Sequence, residues 1–229
     1  MFNKEKVGAV IVAAGKGERM EGLDKVFSFL SGEPVLARSV SVFEHSPLID
    51  QIIMVLREDA IGHGLRLVVE KKWRKVTEVC PGGKRRQDSV LCGLKQLSDC
   101  SWAIIHDGAR PFVTGEMIEE GLKAAQESGA SVAAVPVKDT IKSVGDGGFI
   151  TKTPSRDSLW AAQTPQVFRF DVIKKAYGKI KEDVTDDATL VEKMGIRVKA
   201  FKGSYDNIKI TTPDDLKLAE IIRRREGIK

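Results

Sequence analysis

The sequence predicts an α/β fold, Rossmann-like, with a mostly parallel sheet flanked by helices, in a single domain over residues 1–229. Three observations carry this. Apolar runs recur at Val7–Val12, Gln51–Leu56, Trp102–His106 and Val132–Val137, each of strand length and without a polar face. Segments of helical character alternate with them. Three strands also empty into polar, glycine-containing loops, and open α/β sheets bind ligands beyond the carboxyl ends of their strands.

In chain order, Val7–Val12 leads into Ala13-Ala14-Gly15-Lys16-Gly17. Small residues there let a backbone approach a ligand, successive N–H groups can bind anionic oxygens, and Lys16, Arg19 and Lys25 add positive charge. An ordinary turn with solvated lysines would contain the same residues. The turn Gly32-Glu33-Pro34 precedes a helix over Leu36–Phe43, and Gln51–Leu56 is a second buried strand. Leu67–Glu70 fits a strand or a helix. Lys75–Val79 reads as a short strand running into a second glycine loop, Pro81-Gly82-Gly83-Lys84-Arg85-Arg86, and an amphipathic helix over Gln87–Leu97. Trp102–His106 ends in Asp107-Gly108-Ala109-Arg110-Pro111, followed by a helix over Thr114–Ser128 and the strand Val132–Val137.

Residues 138–166 break the alternation. Thr140–Val144, the turn Gly145–Gly148 and Phe149–Lys152 read as a hairpin, and the whole span is taken as an arm that serves oligomerisation or covers a substrate. Helices over Asp171–Tyr177 and Asp186–Lys193 follow, with Asp186 and Asp187 read as caps, then a strand over Val198–Phe201. The last helix opens with Thr212 as N-cap, Pro213 as its first residue, and Asp214 and Asp215 in its first turn. Arg223–Arg225 suit its negative end.

Composition narrows the class. A chain with 42% hydrophobic and 30% charged residues is an ordinary globular protein. No apolar run approaches the ~20 residues of a membrane helix, and the amino end lacks a secretory pattern, so neither a membrane nor an export signal is expected. Cys80, Cys92 and Cys100 are odd in number and not spaced for a metal, which suits free thiols in a reducing cytoplasm. His45, His63 and His106 form no zinc pattern, and His106 reads as structural. The net charge of +5 permits nucleic-acid binding. The cations are scattered, however, and aromatic stacking platforms are few at 6%, so a small polyanionic substrate fits better.

Two nucleotide motifs are missing. The Gly15 region lacks the Gly-x-x-x-x-Gly-Lys-Ser/Thr of a P-loop, and Gly15-Lys-Gly17-Glu-Arg-Met20 lacks the third glycine of the dinucleotide fingerprint. What remains is Ala13-Ala-Gly-Lys-Gly-Glu-Arg-Met20 with Lys25, Gly82-Gly83 followed by Arg86-Gln-Asp-Ser89, His106-Asp-Gly-Ala-Arg-Pro111, Asp139-Thr140, Arg156, Gln163-Thr-Pro-Gln166, Thr185-Asp186 and Asn207-Ile-Lys209. In this order the chain resembles the 2-C-methyl-D-erythritol 4-phosphate cytidylyltransferase family of the sugar-nucleotidyltransferase superfamily, over nearly its whole length. Asp24, before Lys25, stands where that family usually has proline, and the segment between Arg19 and Lys25 is slightly short.

The resemblance implies attack of a phosphate monoester on the α-phosphate of CTP, with pyrophosphate leaving. The monoester has a second pKa of ~6 and is anionic without a general base, so the site must gather, align and neutralise two polyanions. The resemblance assigns Arg19, Lys25 and Lys209 as catalytic cations. It gives Ala13, Ala14, Gly15, Gly17, Gly82, Gly83, Ser89 and Gly108 to the nucleotide, and Asp107 to Mg²⁺. Arg110, Thr140, Arg156, Thr164 and Thr185 would hold the sugar-alcohol phosphate, Thr140 and Arg156 reaching a neighbour's site across a two-fold homodimer through the arm. A rival within the class is a cytidylyltransferase for ribitol 5-phosphate; a rival outside it is a non-catalytic nucleic-acid-binding protein, suggested only by the pI near 9.0.

Overall fold

A computed structural model describes residues 2–15 and 26–227. Its strands and helices alternate as β1 (Val7–Ala13), β2 (Phe29–Leu30), β3 (Glu33–Pro34), α1 (Val35–His45), β4 (Gln51–Leu56), α2 (Ile61–Glu70), β5 (Val76–Pro81), α3 (Arg86–Leu94), β6 (Trp102–Asp107), α4 (Gly115–Ala125) and β7 (Ala130–Pro136). There follow β8 (Ser143–Val144), β9 (Ile150–Lys152), β10 (Trp160–Arg169), α5 (Phe170–Lys179), α6 (Asp187–Glu192), β11 (Lys199–Lys202) and α7 (Pro213–Gly227). Seven strands form the central sheet in the order β11-β7-β10-β6-β1-β4-β5. All neighbours are parallel except β10, which runs antiparallel to both β6 and β7.

The period of two along β1 builds a three-layer core. Val7, Ala9, Ile11 and Ala13 face one helical layer, where Leu36, Val40 and Phe43 of α1 and Ile118 and Leu122 of α4 are buried. Val10 and Val12 face the other, with Val90 and Leu94 of α3, Ile173 and Ala176 of α5 and Leu190 of α6. Every β1 residue is buried, as an apolar run without a polar face requires. Each large side chain so buried contributes about 1.5–3 kcal/mol before the entropy of ordering it is subtracted.

Thr114 caps α4 through its side chain, and Asp186 caps α6 by accepting from the Thr189 N–H. At α7 the Asp215 carboxylate accepts from the backbone N–H groups of Thr211 and Thr212, while Thr212 Oγ1 accepts from the Asp215 N–H. Leu67–Glu70, open between strand and helix in the sequence, closes α2.

One strand differs from expectation. The span 138–166 is not arm throughout: Trp160–Gln166 belongs to β10, inside the central sheet. Gln163-Thr164-Pro165-Gln166 looks like loop because proline cannot donate to a ladder and the flanking residues are polar. The sheet accommodates it where the β10–β7 register shifts between Ala162 and Gln166. The projecting part is shorter, leaving the sheet after Pro136 and closed at its base by the Val137 N–H donating to the Leu159 carbonyl. Within it β8 and β9 pair antiparallel around Asp146–Gly148.

Candidate active site

Strand register gathers the site. Ala13 of β1 lies beside Leu56 of β4, and Leu56 beside Pro81 of β5; on the other side Val12 lies beside Asp107 of β6. Four carboxyl ends therefore stop at one edge, and the loops that follow them line a cavity of about 1300 Å³. Ala13, Ala14, Gly15, Gly82, Gly83, Ser89, Asp107 and Lys209 all line it, as do Arg57–Asp59, Lys84, Arg85 and Arg86. The sequence expectations for Gly17, Arg19 and Lys25 fall outside the described residues.

The glycine loop is locked for close approach. A Cβ on Gly82 would stand 2.4 Å from the Ala14 Cβ, which is bonded directly to backbone and cannot swing away. A Cβ on Gly83 would stand 2.4 Å from that of Asp88. Ser89 Oγ accepts from the Gly83 N–H at 3.1 Å and lies 3.1 Å from the Arg85 carbonyl as a donor, so this buried hydroxyl braces the turn from within. Gly108 works through packing: its Cβ would meet Leu36 at 2.9 Å and Ala13 at 3.0 Å, and its carbonyl accepts from Ser39 Oγ.

Asp107 is the electrostatic centre. Arg86 Nε donates to its Oδ1 at 2.9 Å, Lys209 Nζ lies 2.8 Å from its Oδ2, and Arg110 Nε is at 3.8 Å. Burial alone would raise this carboxyl, but Arg86, Lys209 and Arg110 outweigh it and hold Asp107 ionised far below the usual carboxylate range. At His106 burial dominates over the neighbouring Asp107 charge and lowers the imidazole to about 4. A chain of donors follows: the Asp107 N–H donates to Thr164 Oγ1, leaving the Thr164 hydroxyl to donate to His106 Nδ1, and Nε2–H to donate to the Arg110 carbonyl. A neutral imidazole with its proton on Nε2 suits this network and the burial, and His106 is structural as expected.

The second-substrate residues divide. Thr164 is 3% exposed and its hydroxyl is engaged on both sides, so it orients Asp107 and does not face the cavity as a ligand for substrate. Arg110 lies behind Asp107 with Nη1 on the Asn207 carbonyl, and its buried Nε has no hydrogen-bond partner among the described residues. Thr185 is exposed on the loop before α6, while Thr140 and Arg156 are exposed on the arm, Arg156 donating to the Lys138 carbonyl. None of these three lines the cavity of its own chain.

Three participants escape a reading of the sequence. Arg86 sits in a quoted motif without an assigned task, yet it bridges Asp107 and Asp187. Asp187 is not a cap but a carboxylate 1% exposed, accepting from Arg86 and from the Tyr177 hydroxyl. The only sequence signal for Asp187 is a second acid beside the cap, which is common at helix starts. Tyr177 carries no signal beyond an apolar helix face.

A single ionised carboxylate fits Mg²⁺ when phosphate oxygens complete the coordination, a hard cation with oxygen ligands. No cluster of three or more metal-binding side chains occurs among the described residues.

The chain is similar to known proteins over nearly its whole length. A family model described as 2-C-methyl-D-erythritol 4-phosphate cytidylyltransferase matches residues 7–225. A relative of that name from Dehalococcoides mccartyi is 53% identical over 225 residues, 98% of this chain and 99% of its own. Another, from Alkaliphilus oremlandii, is 46% identical over 235 residues, 99% of this chain and 100% of its own. The crystal structure of a 4-diphosphocytidyl-2C-methyl-D-erythritol synthase from Anaerococcus prevotii matches with a TM-score of 0.88 and 32% identity, over 97% of both chains. Matched extent and shared fold converge: the chain belongs to the 2-C-methyl-D-erythritol 4-phosphate cytidylyltransferase family.

Proposed function

We propose that the cavity at the carboxyl edge of the sheet transfers CMP from CTP to 2-C-methyl-D-erythritol 4-phosphate, a step of isoprenoid-precursor synthesis. One observation carries this most: a buried, ionised Asp107 flanked by Lys209 and Arg86 at a strand end that also meets the Ala14–Gly82 cradle. A cation, a carboxylate and backbone donors are what two polyanions need in order to meet.

A phosphate oxygen of the alcohol phosphate attacks the α-phosphorus of CTP, and the bond to the β-phosphate oxygen breaks as pyrophosphate leaves. Lys209, now on Asp107 Oδ2, can donate instead to the phosphates that meet above it, and the glycine loop restricts the base by size. Arg19 and Lys25 are assigned to the triphosphate and its leaving group. Asp107, together with phosphate oxygens, would hold Mg²⁺, whose chemistry there is to offset negative charge on the triphosphate.

The arm suits a second copy of this chain. Val144, Phe149 and Ile150 are 61%, 78% and 61% exposed on it, and Thr140 and Arg156 lie outside their own cavity. A homodimer in which each arm completes its neighbour's alcohol-phosphate site is the arrangement we propose. No helix among the described residues is long and apolar enough to cross a membrane, and we propose a cytoplasmic enzyme. Pyrophosphate release with CTP and either 2-C-methyl-D-erythritol 4-phosphate or ribitol 5-phosphate tests the assignment. Preference for ribitol 5-phosphate would overturn the substrate; salt-sensitive oligonucleotide binding without CTP turnover would overturn the enzyme.

A further inference from the structure

We propose that Tyr177 and Asp187 are positioning residues for Asp107, acting through Arg86. The inference rests on the reading of Asp107 as the carboxylate that faces cation and phosphate. The contacts form one line from α5 to the cavity: the Tyr177 hydroxyl donates to Asp187 Oδ1 at 2.5 Å, Arg86 Nη1 donates to Asp187 Oδ2 at 2.8 Å, and Arg86 Nε donates to Asp107 Oδ1 at 2.9 Å. Asp187 and Tyr177 are buried and do not line the cavity, so neither touches a substrate.

The chemistry of guanidinium explains why a second carboxylate is there. An arginine facing one carboxylate donates two parallel bonds and occupies both oxygens. Asp187 holds Arg86 by Nη1, outside the Nε–Nη2 pair of a side-on fork, and so fixes the guanidinium with its Nε giving Asp107 a single bond, on Oδ1. Oδ2 is left to Lys209, a side chain 34% exposed on a flexible stem that can move to incoming phosphate. Asp107 thus keeps one oxygen pinned and one exchangeable.

The second carboxylate is itself held. Tyr177 remains a donor because burial and the Asp187 charge push its phenol far above the ordinary value. The start of α6 is tied to β10, since Gln166 Oε1 accepts from the Ala188 N–H at 3.0 Å and Gln166 Nε2 donates to Asp186 at 2.9 Å. Burying a carboxylate is costly, and a purely packing role at this place would be met by an apolar side chain.

The test uses the full chain, saturated with a CTP analogue carrying a methylene between the α- and β-phosphates, and titrates Mn²⁺ by calorimetry. Asp187→Asn removes the charged anchor that holds Arg86 by Nη1 and so loosens the guanidinium on Asp107, and Mn²⁺ affinity should fall by about tenfold or more, as loss of an outer carboxylate does at metal sites. In turnover kcat should drop while KM for CTP stays within about threefold, and Asp187→Glu should recover part of the loss. Tyr177→Phe should weaken Mn²⁺ by a smaller factor, about threefold, the scale of one outer hydrogen bond. A folded Asp187→Asn with wild-type Mn²⁺ affinity overturns the proposal. If that variant loses its near-ultraviolet circular dichroism, Tyr177→Phe decides, and unchanged affinity there overturns it. A wild-type chain that binds no Mn²⁺ sinks the reading of Asp107 and this inference together; wild-type binding with an unaffected Asp187→Asn sinks the inference alone.

Discussion

The cavity edge and the arm of this molecule are built on opposite terms. At the edge, Asp107, Arg86, Lys209 and Asp187 are shielded from solvent to differing degrees and fixed by mutual charge, and Thr164 and His106 brace them from behind. On the arm every residue from Lys138 to Val144 is exposed, apolar side chains included, and β8 and β9 contribute two and three residues. An isolated hairpin of that size is marginal in water. The edge is thus braced within one chain, whereas the apolar side chains of the arm are left uncovered by it.

Breaking the edge should have the largest effect. Lys209→Ala and Asp107→Asn are each expected to lower turnover by about 10²–10³, the scale of removing one preorganised electrostatic group. Arg19→Ala and Lys25→Ala should likewise lose most turnover while staying folded. Pyrophosphate release within about threefold of wild type would refute the assigned roles.

The bracing behind the edge should appear as a pH dependence of stability. His106 titrates near about 4 when folded and near ~6.5 when unfolded, so between these values the unfolded chain binds the extra proton. Its contribution is full above about pH 6.5 and is lost as pH falls toward 4, about 3 kcal/mol in all at roughly 1.36 kcal/mol per unit. Chemical denaturation of the chelator-treated protein across this window should show the decline, and His106→Gln should flatten it. An unchanged slope in that variant would reject the buried neutral imidazole.

The arm should respond in another quantity. Arg156→Ala is expected to raise KM for the alcohol phosphate by about tenfold, the order of one charge-assisted contact, with KM for CTP unchanged. Mixing Arg156→Ala chains with Lys209→Ala chains should restore part of the lost turnover, because one mixed site keeps both residues; no recovery would argue against an arm acting in its neighbour. The smallest effect should follow from Phe149→Ser with Ile150→Ser. Sedimentation should move toward monomer while the CTP analogue still binds, and an unaltered sedimentation profile would remove the arm from the interface.

Much of the fold and of the edge is legible in the amino-acid sequence. The strand Gln51–Leu56 needs only its own apolar pattern, and the glycine loop at 82–83 needs only its small residues. Trp160–Arg169 is hidden because Gln163-Thr164-Pro165-Gln166 breaks the local pattern, and only pairing with β6 and β7 makes it a strand. Thr164 reads as a substrate ligand for a similar reason: a threonine in a motif does not disclose that its hydroxyl lies between the Asp107 N–H and His106.

What the sequence determined by itself is therefore the alternation of strands and helices, the glycine loops at their ends and the family they belong to. The first two are consequences of short-range periodicity and backbone freedom, and the third follows from the order of the motifs. The tertiary structure alone decided which oxygen of Asp107 is pinned, through Arg86 and an Asp187 that lies 101 residues further along the chain. Charge partners so far apart meet only after the sheet has closed, and no local pattern encodes the distance between them.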